Sequence, residues 1–211
     1  MAKKDKQRII LGSGKLYAME FTGEVPKKEE ICVNDNLLSY IQGGATLEYK
    51  ATFYTAKDDL GYAEKTIITE EEATLKSGLM VFNVNNLKIL CATGRVIDSE
   101  DGKYRTLKIG GIENADGKKY VICFHHTDKT DGDIWVIIVG VNQSGFSIAF
   151  AKDKETVVDA EFKALVQDDE GTLIQYIEEI KGAAEPVSAA NAENATPVAP
   201  AENATEKKTN K

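Results

Sequence analysis

A chain of 211 residues with 42% hydrophobic side chains is long enough to form one domain with a buried core. Its formal net charge of -8 argues against a phosphate-binding surface, since nucleic-acid-binding proteins gain affinity from an excess of lysine and arginine. Three separated cysteines, Cys32, Cys91 and Cys123, lack Cys-x-x-Cys spacing, which argues against a disulfide framework and against a structural zinc site.

The first part of the chain contains one clear strand between two polar segments. We expect residues 1–14 to be a flexible N-terminal segment. It has no secretory signal and no apolar run reaches the roughly 18 residues of a membrane span, so we expect the protein to be kept in the cytoplasm. Side-chain alternation predicts a strand over 15–21, followed by a polar loop over 22–33. A short helix is predicted over 34–42, ahead of two glycines.

The stretch from residue 44 to 82 predicts a hairpin arm of unusual length. Its first half alternates between two sets of side chains, Ala45, Leu47, Tyr49, Ala51 and Phe53 against Thr46, Glu48, Lys50, Thr52 and Tyr54. This period of two predicts a long strand, a loop over 58–61, and a return over 65–69 and 73–82. One small domain cannot pair the edges of such an arm, so we expect a neighbouring subunit to pair with them.

Short strands joined by turns are predicted for the rest of the domain. A helix is expected over about 85–93, capped by Asn83 or Asn85 and ended by Gly94. Four dipeptides then separate runs rich in β-branched and aromatic residues: Asp101-Gly102, Asp116-Gly117, Asp131-Gly132 and Ser144-Gly145. Such dipeptides are typical of hairpin turns that need a positive φ, so we predict an antiparallel meander.

The most apolar strand pattern lies at residues 134–141, where both faces are apolar, as in a central strand of a β-sandwich. Residues 146–151 and 158–164 alternate apolar and polar side chains, as half-exposed strands do. Beyond residue 182 the composition changes to Ala, Asn, Glu, Thr, Pro and Lys, which predicts a disordered tail over 183–211. We therefore predict a mainly β, antiparallel β-sandwich domain over 15–182 with one or two short helices.

The residues suited to catalysis or metal binding form no recognisable constellation. His125 and His126 are the only histidines, and neighbours on a strand point to opposite faces, so we do not expect them to share a metal ion. The acidic runs at 70–72 and 168–170 do not match a calcium-binding loop and are interpreted as solvated surface. We predict no enzymatic activity, no cofactor and no bound metal. A hydrolase would rest on the histidine pair alone.

Six sequence segments carry a further signal when they are taken in order. They are GGATLEY (43–49), FYTAKDDLG (53–61), EATLKSG (72–78), FSIAFAKDKET (146–156), EFKA (161–164) and DDEGTL (168–173). In this order the chain resembles the major tail tube proteins of phages of Gram-positive bacteria, over most of residues 9–178. The resemblance does not extend to the tail beyond residue 182, and no catalytic residue defines that family.

The resemblance implies a fold and an assembly. It implies a barrel-like β-sandwich, the tail tube fold, whose subunits form homohexameric rings that stack head to tail. The arm would supply strands to a continuous inner barrel wide enough to leave a lumen, with Tyr49, Phe53, Asp58, Asp59 and Gly61 as candidate contacts between subunits. The implied partners are other copies of the chain and the tail tip, terminator and tape-measure components. The assembled tube wall would contact no membrane.

The same resemblance gives the acidic composition a role in genome ejection. Glu48 and Glu70 or Glu72 are the candidate lumen residues, where carboxylates would repel DNA phosphates and let the genome slide. DNA would be a non-specific, transiting cargo, and the protein would be located in the virion tail after assembly in the host bacterial cytoplasm. Residues 1–14 and 22–33 are expected to stay unfolded until a neighbouring ring docks.

Two alternatives stay open at this point. The same subunit would also suit the tube of a phage-tail-like bacteriocin, which permeates a membrane instead of delivering DNA. A carbohydrate-binding or adhesin β-sandwich is a different class, and we would expect it to expose aromatic platforms. Trp135, the only tryptophan, instead lies in the most apolar strand. Binding of cell-wall glycans by the monomer would favour that class.

Overall fold

The nine strands and two short α-helices of the fold come from a computed structural model, which describes residues 13–60, 62–80, 83–148, 150, 152–153 and 155–181. In chain order the elements are β1 (Lys15–Glu20), α1 (Lys28–Ile31), β2 (Leu37–Lys57), β3 (Glu64–Leu79), α2 (Val84–Ile89), β4 (Arg95–Asp98), β5 (Arg105–Lys108), β6 (Tyr120–His126), β7 (Ile134–Asn142), β8 (Val158–Leu165) and β9 (Gln175–Glu178). The predicted mainly β, antiparallel fold with one or two short helices is confirmed. The predicted tail at 183–211 and residues 1–12 of the predicted N-terminal segment lie outside the described residues.

Six of the strands close into an antiparallel barrel. Neighbouring strands pair in the order β6-β1-β2-β3-β8-β7, and β7 pairs again with β6. On its other side, β7 pairs with β9 at residues 134–137 and with β8 at residues 139–142. The predicted central strand at 134–141 is therefore confirmed. Closure also removes the free edges that an open sheet would expose.

The barrel wall carries a separate apolar cluster on each face. The inner cluster draws residues from all six barrel strands and contains Leu16 of β1 and the fully buried Phe162 of β8. The outer cluster contains Tyr17, the next residue of β1, and is covered by α1 through the fully buried Ile31. Successive strand residues thus serve opposite faces, which is why β1, β6 and β7 are apolar on both.

Three predicted elements differ from the structure. The helix predicted over 34–42 is only a 3₁₀ turn at Asn34–Asn36, because residues 37–40 pair with β1 and begin the long strand. The segment at 22–33, expected to be an unfolded loop, contains α1, whose Ile31 is buried against the barrel. The strand predicted over 146–151 is absent from its described part, where a single bridge joins Ile148 to Val158. Pairing and burial outweighed local propensity in the first two cases.

The remaining helix and the hairpin turns at Gly102 and Gly132 follow the sequence signals, whereas Asp116-Gly117 lies between β5 and β6, which do not pair with each other. The Asn83 side chain caps α2 by accepting a hydrogen bond from the backbone N–H of Asn86 at 2.9 Å. α2 ends at Ile89, four residues before the predicted end, and tight turns then lead to Gly94. Gly102 in the β4–β5 hairpin and Gly132 in the β6–β7 hairpin have positive φ values of 66° and 98°, as predicted for these turns.

Candidate subunit interface and channel surface

β2 and β3 continue beyond the barrel as a two-stranded hairpin arm. β2 pairs with β1 only at residues 37–40, and β3 pairs with β8 only at residues 74–79. Over residues 45–57 and 64–73 the two strands pair only with each other within the described part of the chain. The predicted hairpin arm is confirmed, and both of its outer edges are open. Open edges offer backbone N–H and C=O groups to another chain.

One face of the arm, which we call the apolar face, carries Leu47, Tyr49, Phe53 and Ile68. At the base of the arm this face belongs to the barrel interior, where Leu75 is 1% exposed. Further out, Tyr49 and Phe53 are 52% and 60% exposed. The Tyr49 hydroxyl donates a hydrogen bond to the carboxylate of Glu71. The barrel core therefore extends onto the arm as an uncovered apolar surface.

The opposite face of the arm, the charged face, carries an ion-pair network. Its members are Glu48, Lys50, Glu72, Lys76, Glu161 and Lys163, and Glu70 lies on the same face nearer the tip. The Lys50 Nζ lies 2.7 Å from Glu48 Oε1, and the Lys163 Nζ lies 2.6 Å from Glu72 Oε1. Hydrogen bonds from these two ammonium groups hold the pKa values of both glutamates below their ordinary range. Four carboxylates thus share this face with three lysines.

All three predicted lumen residues, Glu48, Glu70 and Glu72, share the charged face, as the register of β2 against β3 requires. An unpaired Thr69 in β3 shifts the register beyond this point, so nearer the tip Tyr54 lies opposite Ile67 on the same face. These two side chains are 59% and 48% exposed. The arm therefore offers apolar contact area on both faces near its tip.

Sequence reasoning identified the glutamates but missed the lysines that neutralise them. Lys50 follows Glu48 by two positions, a spacing that places both on one strand face and was readable in the sequence. Lys163 is 91 positions from Glu72, and only the pairing of β3 with β8 brings the two together. The network lines a shallow cavity of about 310 Å³. Its charges are engaged with one another, which does not suit recognition of a small charged ligand.

The tip of the arm is closed by one of the predicted contact residues. Asp58 donates its backbone N–H to the carbonyl of Ala63 at 3.1 Å, and its carboxylate accepts from the Ala63 N–H at 2.7 Å. Asp59 lies in the turn itself, and Gly61 falls outside the described residues. Leu60 and Tyr62, which sequence reasoning missed, are 77% and 88% exposed at this tip.

The two histidines are separated by the barrel wall, as strand alternation predicted. His125 Nε2 lies 2.8 Å from Asp133 Oδ2, and the ring stacks on Trp135 with centroids 4.9 Å apart. His126 is buried, with its Nδ1 2.8 Å from the carbonyl oxygen of Ser13. Within the described ranges, no three side chains of His, Cys, Asp or Glu are grouped as metal ligands would be. No helix there has the length and apolar character needed to cross a bilayer.

Comparisons with known proteins do not assign this chain to a family. No protein-family model matches the chain, and no curated protein sequence matches it significantly. The hairpin arm, with its open edges and two unlike faces, is therefore the feature from which a function is argued.

Proposed function

We propose that this chain is a structural subunit of a phage-type tail tube, in which arms from neighbouring copies pair edge to edge in hexameric rings that stack head to tail. The observation that carries this proposal is the arm, whose two outer edges are open along residues 45–57 and 64–73. A lone two-stranded hairpin is marginally stable in water, so an arm of this length needs further strands beside it. Other copies of the same chain supply them most simply.

Pairing between copies follows from the directions of the strands. The open edge of β2 in one copy meets the open edge of β3 in the next, which is a head-to-tail contact that closes into a ring when the rotation is right. Such a ring satisfies every arm edge and leaves none exposed. It also covers exposed apolar side chains of the arm, at roughly 25 cal/mol for each Å² removed from water.

The orientation of the arm in this ring is set by its apolar face. That face is continuous with the barrel interior through Leu75, so the charged face is turned away from the barrel. With the barrels on the outside of the ring, the charged face lines the lumen and presents Glu48, Glu70 and Glu72 to passing DNA. Lys50 and Lys163 are held by glutamates, so the phosphates meet paired charges and a small excess of carboxylate.

The proposal defines the partners and location of the protein. Its main partner is itself, first within a ring and then between rings, where the exposed tip residues Leu60 and Tyr62 offer apolar contact area. A tail tip, a terminator and a tape-measure component limit the tube, and DNA passes through as non-specific cargo. The assembled protein resides in the virion tail.

The decisive experiment is negative-stain electron microscopy of the purified chain at high concentration, with size-exclusion chromatography of the same sample. We expect hollow rings or tubes. The double variant Tyr49→Ala/Phe53→Ala should remain folded by circular dichroism but lose these assemblies, because it removes the apolar face. The matched control is Tyr104→Ala, which removes an aromatic side chain that is 71% exposed but lies outside the arm. A chain that stays monomeric throughout, or an arm variant that still forms rings, would contradict the proposal.

One observation favours a second candidate, a glycan-binding module. Trp135 is 9% exposed and is no platform, but Tyr49, Phe53, Tyr54 and Tyr62 are each more than half exposed on the arm. Aromatic faces of this kind stack on sugar rings. Co-sedimentation of the monomer with purified cell-wall glycan tests this function. Binding that is lost in Tyr54→Ala would support it, and absence of binding would eliminate it.

A further inference from the structure

Two of the three cysteines meet although they are far apart in the sequence. Cys32 directly follows α1, and Cys123 lies in β6, 91 positions away. Their sulfur atoms are 3.6 Å apart, and both thiols are free. Both side chains belong to the outer apolar cluster that α1 covers. The sequence argued against a disulfide framework because it carries no local cysteine motif, and this contact depends entirely on the fold.

We propose that Cys32 and Cys123 form a reversible disulfide that fastens the α1 segment to the barrel wall, with a small-molecule disulfide such as oxidised glutathione as the oxidant. The bond requires the sulfurs to approach from 3.6 Å to about 2.05 Å. α1 has only four residues and connects to β2 through a 3₁₀ turn, so this segment is the part that moves. β6 is fixed by its partners β1 and β7.

The surroundings assign different roles to the two thiols. A hydrogen bond from Cys123 and the nearby Lys28 ammonium lower the pKa of Cys32, against the opposing effects of burial and of the Glu29 carboxylate that pairs with Lys28. The contact with Cys32 and burial raise the pKa of Cys123, which is fully buried in β6. Lys28 is held in place over the Trp135 ring, with its Nζ 4.3 Å from the ring centroid. Cys32 is therefore the more exposed of the two thiols and the one whose pKa is lowered, so it reacts first.

The reaction balances as two thiol–disulfide exchanges. The Cys32 thiolate attacks one sulfur of oxidised glutathione, which breaks the glutathione disulfide and releases one glutathione. Cys123 then loses its proton and attacks the Cys32 sulfur of the mixed disulfide, which releases the second glutathione and forms the Cys32–Cys123 bond. Two cysteine thiols are oxidised, one disulfide is reduced, and both protons leave on the two glutathione thiols. Reducing compartments keep the pair open, and oxidising ones close it.

Closing the bond is expected to stabilise the folded chain. The crosslink joins positions 91 residues apart, which removes much of the freedom of the unfolded chain. For a chain of this size the expected rise in Tm is about 5–15 °C. The added reductant dithiothreitol should reverse this rise.

The test uses the full chain with Cys91→Ser, which leaves only the proposed pair. After incubation of the folded protein with oxidised glutathione, thiols counted under denaturing conditions should fall from two per chain to none. Peptide mapping should find Cys32 joined to Cys123, and Tm should rise. The matched control, Cys32→Ser, keeps Cys91 and Cys123 and should retain both thiols, because Cys91 packs in the inner cluster on the other face of the barrel wall.

Three results would overturn the proposal: two thiols that persist after oxidation, a stable glutathione adduct on Cys32 without release of the second glutathione, or an unchanged Tm with the bond formed. The fully buried Cys123 is left intact in every variant, and circular dichroism of each variant checks that it folds. The measurement applies equally to single chains and to rings, so its outcome is independent of the tube proposal.

Discussion

The barrel and the arm share two strands, β2 and β3, yet these strands are buried and paired on both sides in the barrel and exposed on the arm. Within the barrel, Leu38 of β2 is 2% exposed and Leu75 of β3 is 1% exposed. On the arm, Phe53 of β2 is 60% exposed and Ile68 of β3 is 53% exposed. Barrel strands have neighbours on both sides, whereas the arm strands have only each other. The side-chain alternation is the same in both regions.

Side-chain alternation therefore predicts a strand and its two faces but does not predict what covers them. In the barrel the cover is the rest of the chain. For the arm the cover is missing from the single chain, although the side chains remain those of a core. A surface that is core-like in composition and open at its edges is typical of an interface that is completed by assembly. Stability measurements can separate the two regions.

The largest expected effect comes from Phe162→Ala in the barrel. Phe162 is fully buried in the inner cluster, so its truncation should lower the free energy of unfolding by about 3–5 kcal/mol. Phe53→Ala removes the same side chain from the arm and should change the stability of the single chain by less than about 0.5 kcal/mol. Urea unfolding followed by circular dichroism measures both. Equal losses in the two variants would show that the arm is packed in the single chain.

A smaller loss of stability is expected from Gly140→Ala, which tests how closely β7 and β8 approach each other in the barrel. A Cβ at this position would lie 2.4 Å from the backbone carbonyl oxygen of Lys163 across the β7–β8 seam. The strands must separate to admit it, at a cost of about 1–3 kcal/mol. The control at the start of the arm is Gly44→Asn, where a Cβ meets no atom within 4 Å and asparagine is among the side chains least strained at the φ of 83°. In urea unfolding, the loss of stability should be smaller for Gly44→Asn than for Gly140→Ala. A larger loss for Gly44→Asn would contradict the barrel closure.

The sequence predicted the elements whose signal is local. The strands at 15–21, 134–141 and 158–164 and the arm follow from a period of two, and two hairpin turns follow from the dipeptides Asp101-Gly102 and Asp131-Gly132. Barrel closure is different, because it depends on β6 pairing with both β1 and β7. The Asp131-Gly132 turn signals the β6–β7 hairpin locally, but no local pattern specifies the pairing of β6 with β1.

Long-range contacts are the physical cause of three differences between the sequence predictions and the structure. α1 has four residues and no periodicity, and burial of Ile31 in the outer cluster stabilises it. The local sequence of residues 37–40 predicts a helix, but in the structure these residues pair with β1. The glutamates of the charged face were identified from strand alternation, but the Lys163–Glu72 pair required the register of β3 against β8.

The variant Asn83→Ala removes the cap of α2 and should lower the free energy of unfolding by about 1 kcal/mol. α2 packs against the inner cluster, so this variant reports on the end of the barrel. The neighbouring variant Asn85→Ala serves as the control, because the sequence allowed either asparagine to cap and the structure selects Asn83. Thermal unfolding of the two variants decides between them. A larger loss for Asn85→Ala would contradict the cap.

The smallest expected effect is the pH dependence of stability that the charged face contributes. The hydrogen bond from Lys163 lowers the folded-state pKa of Glu72 below its unfolded value, so the pair stabilises the protein above the unfolded pKa. That contribution is lost as the pH falls through the folded pKa, and it is small because both side chains are well exposed. A carboxyl ¹³C NMR titration should show the pKa of Glu72 rising in Lys163→Gln. It should rise less in Lys50→Gln, since Lys50 acts on Glu72 only through a weaker long-range attraction. Equal shifts in the two variants would mean that the charges of this face act on Glu72 collectively, and the specific ion pair between Lys163 of β8 and Glu72 of the arm would lose its support.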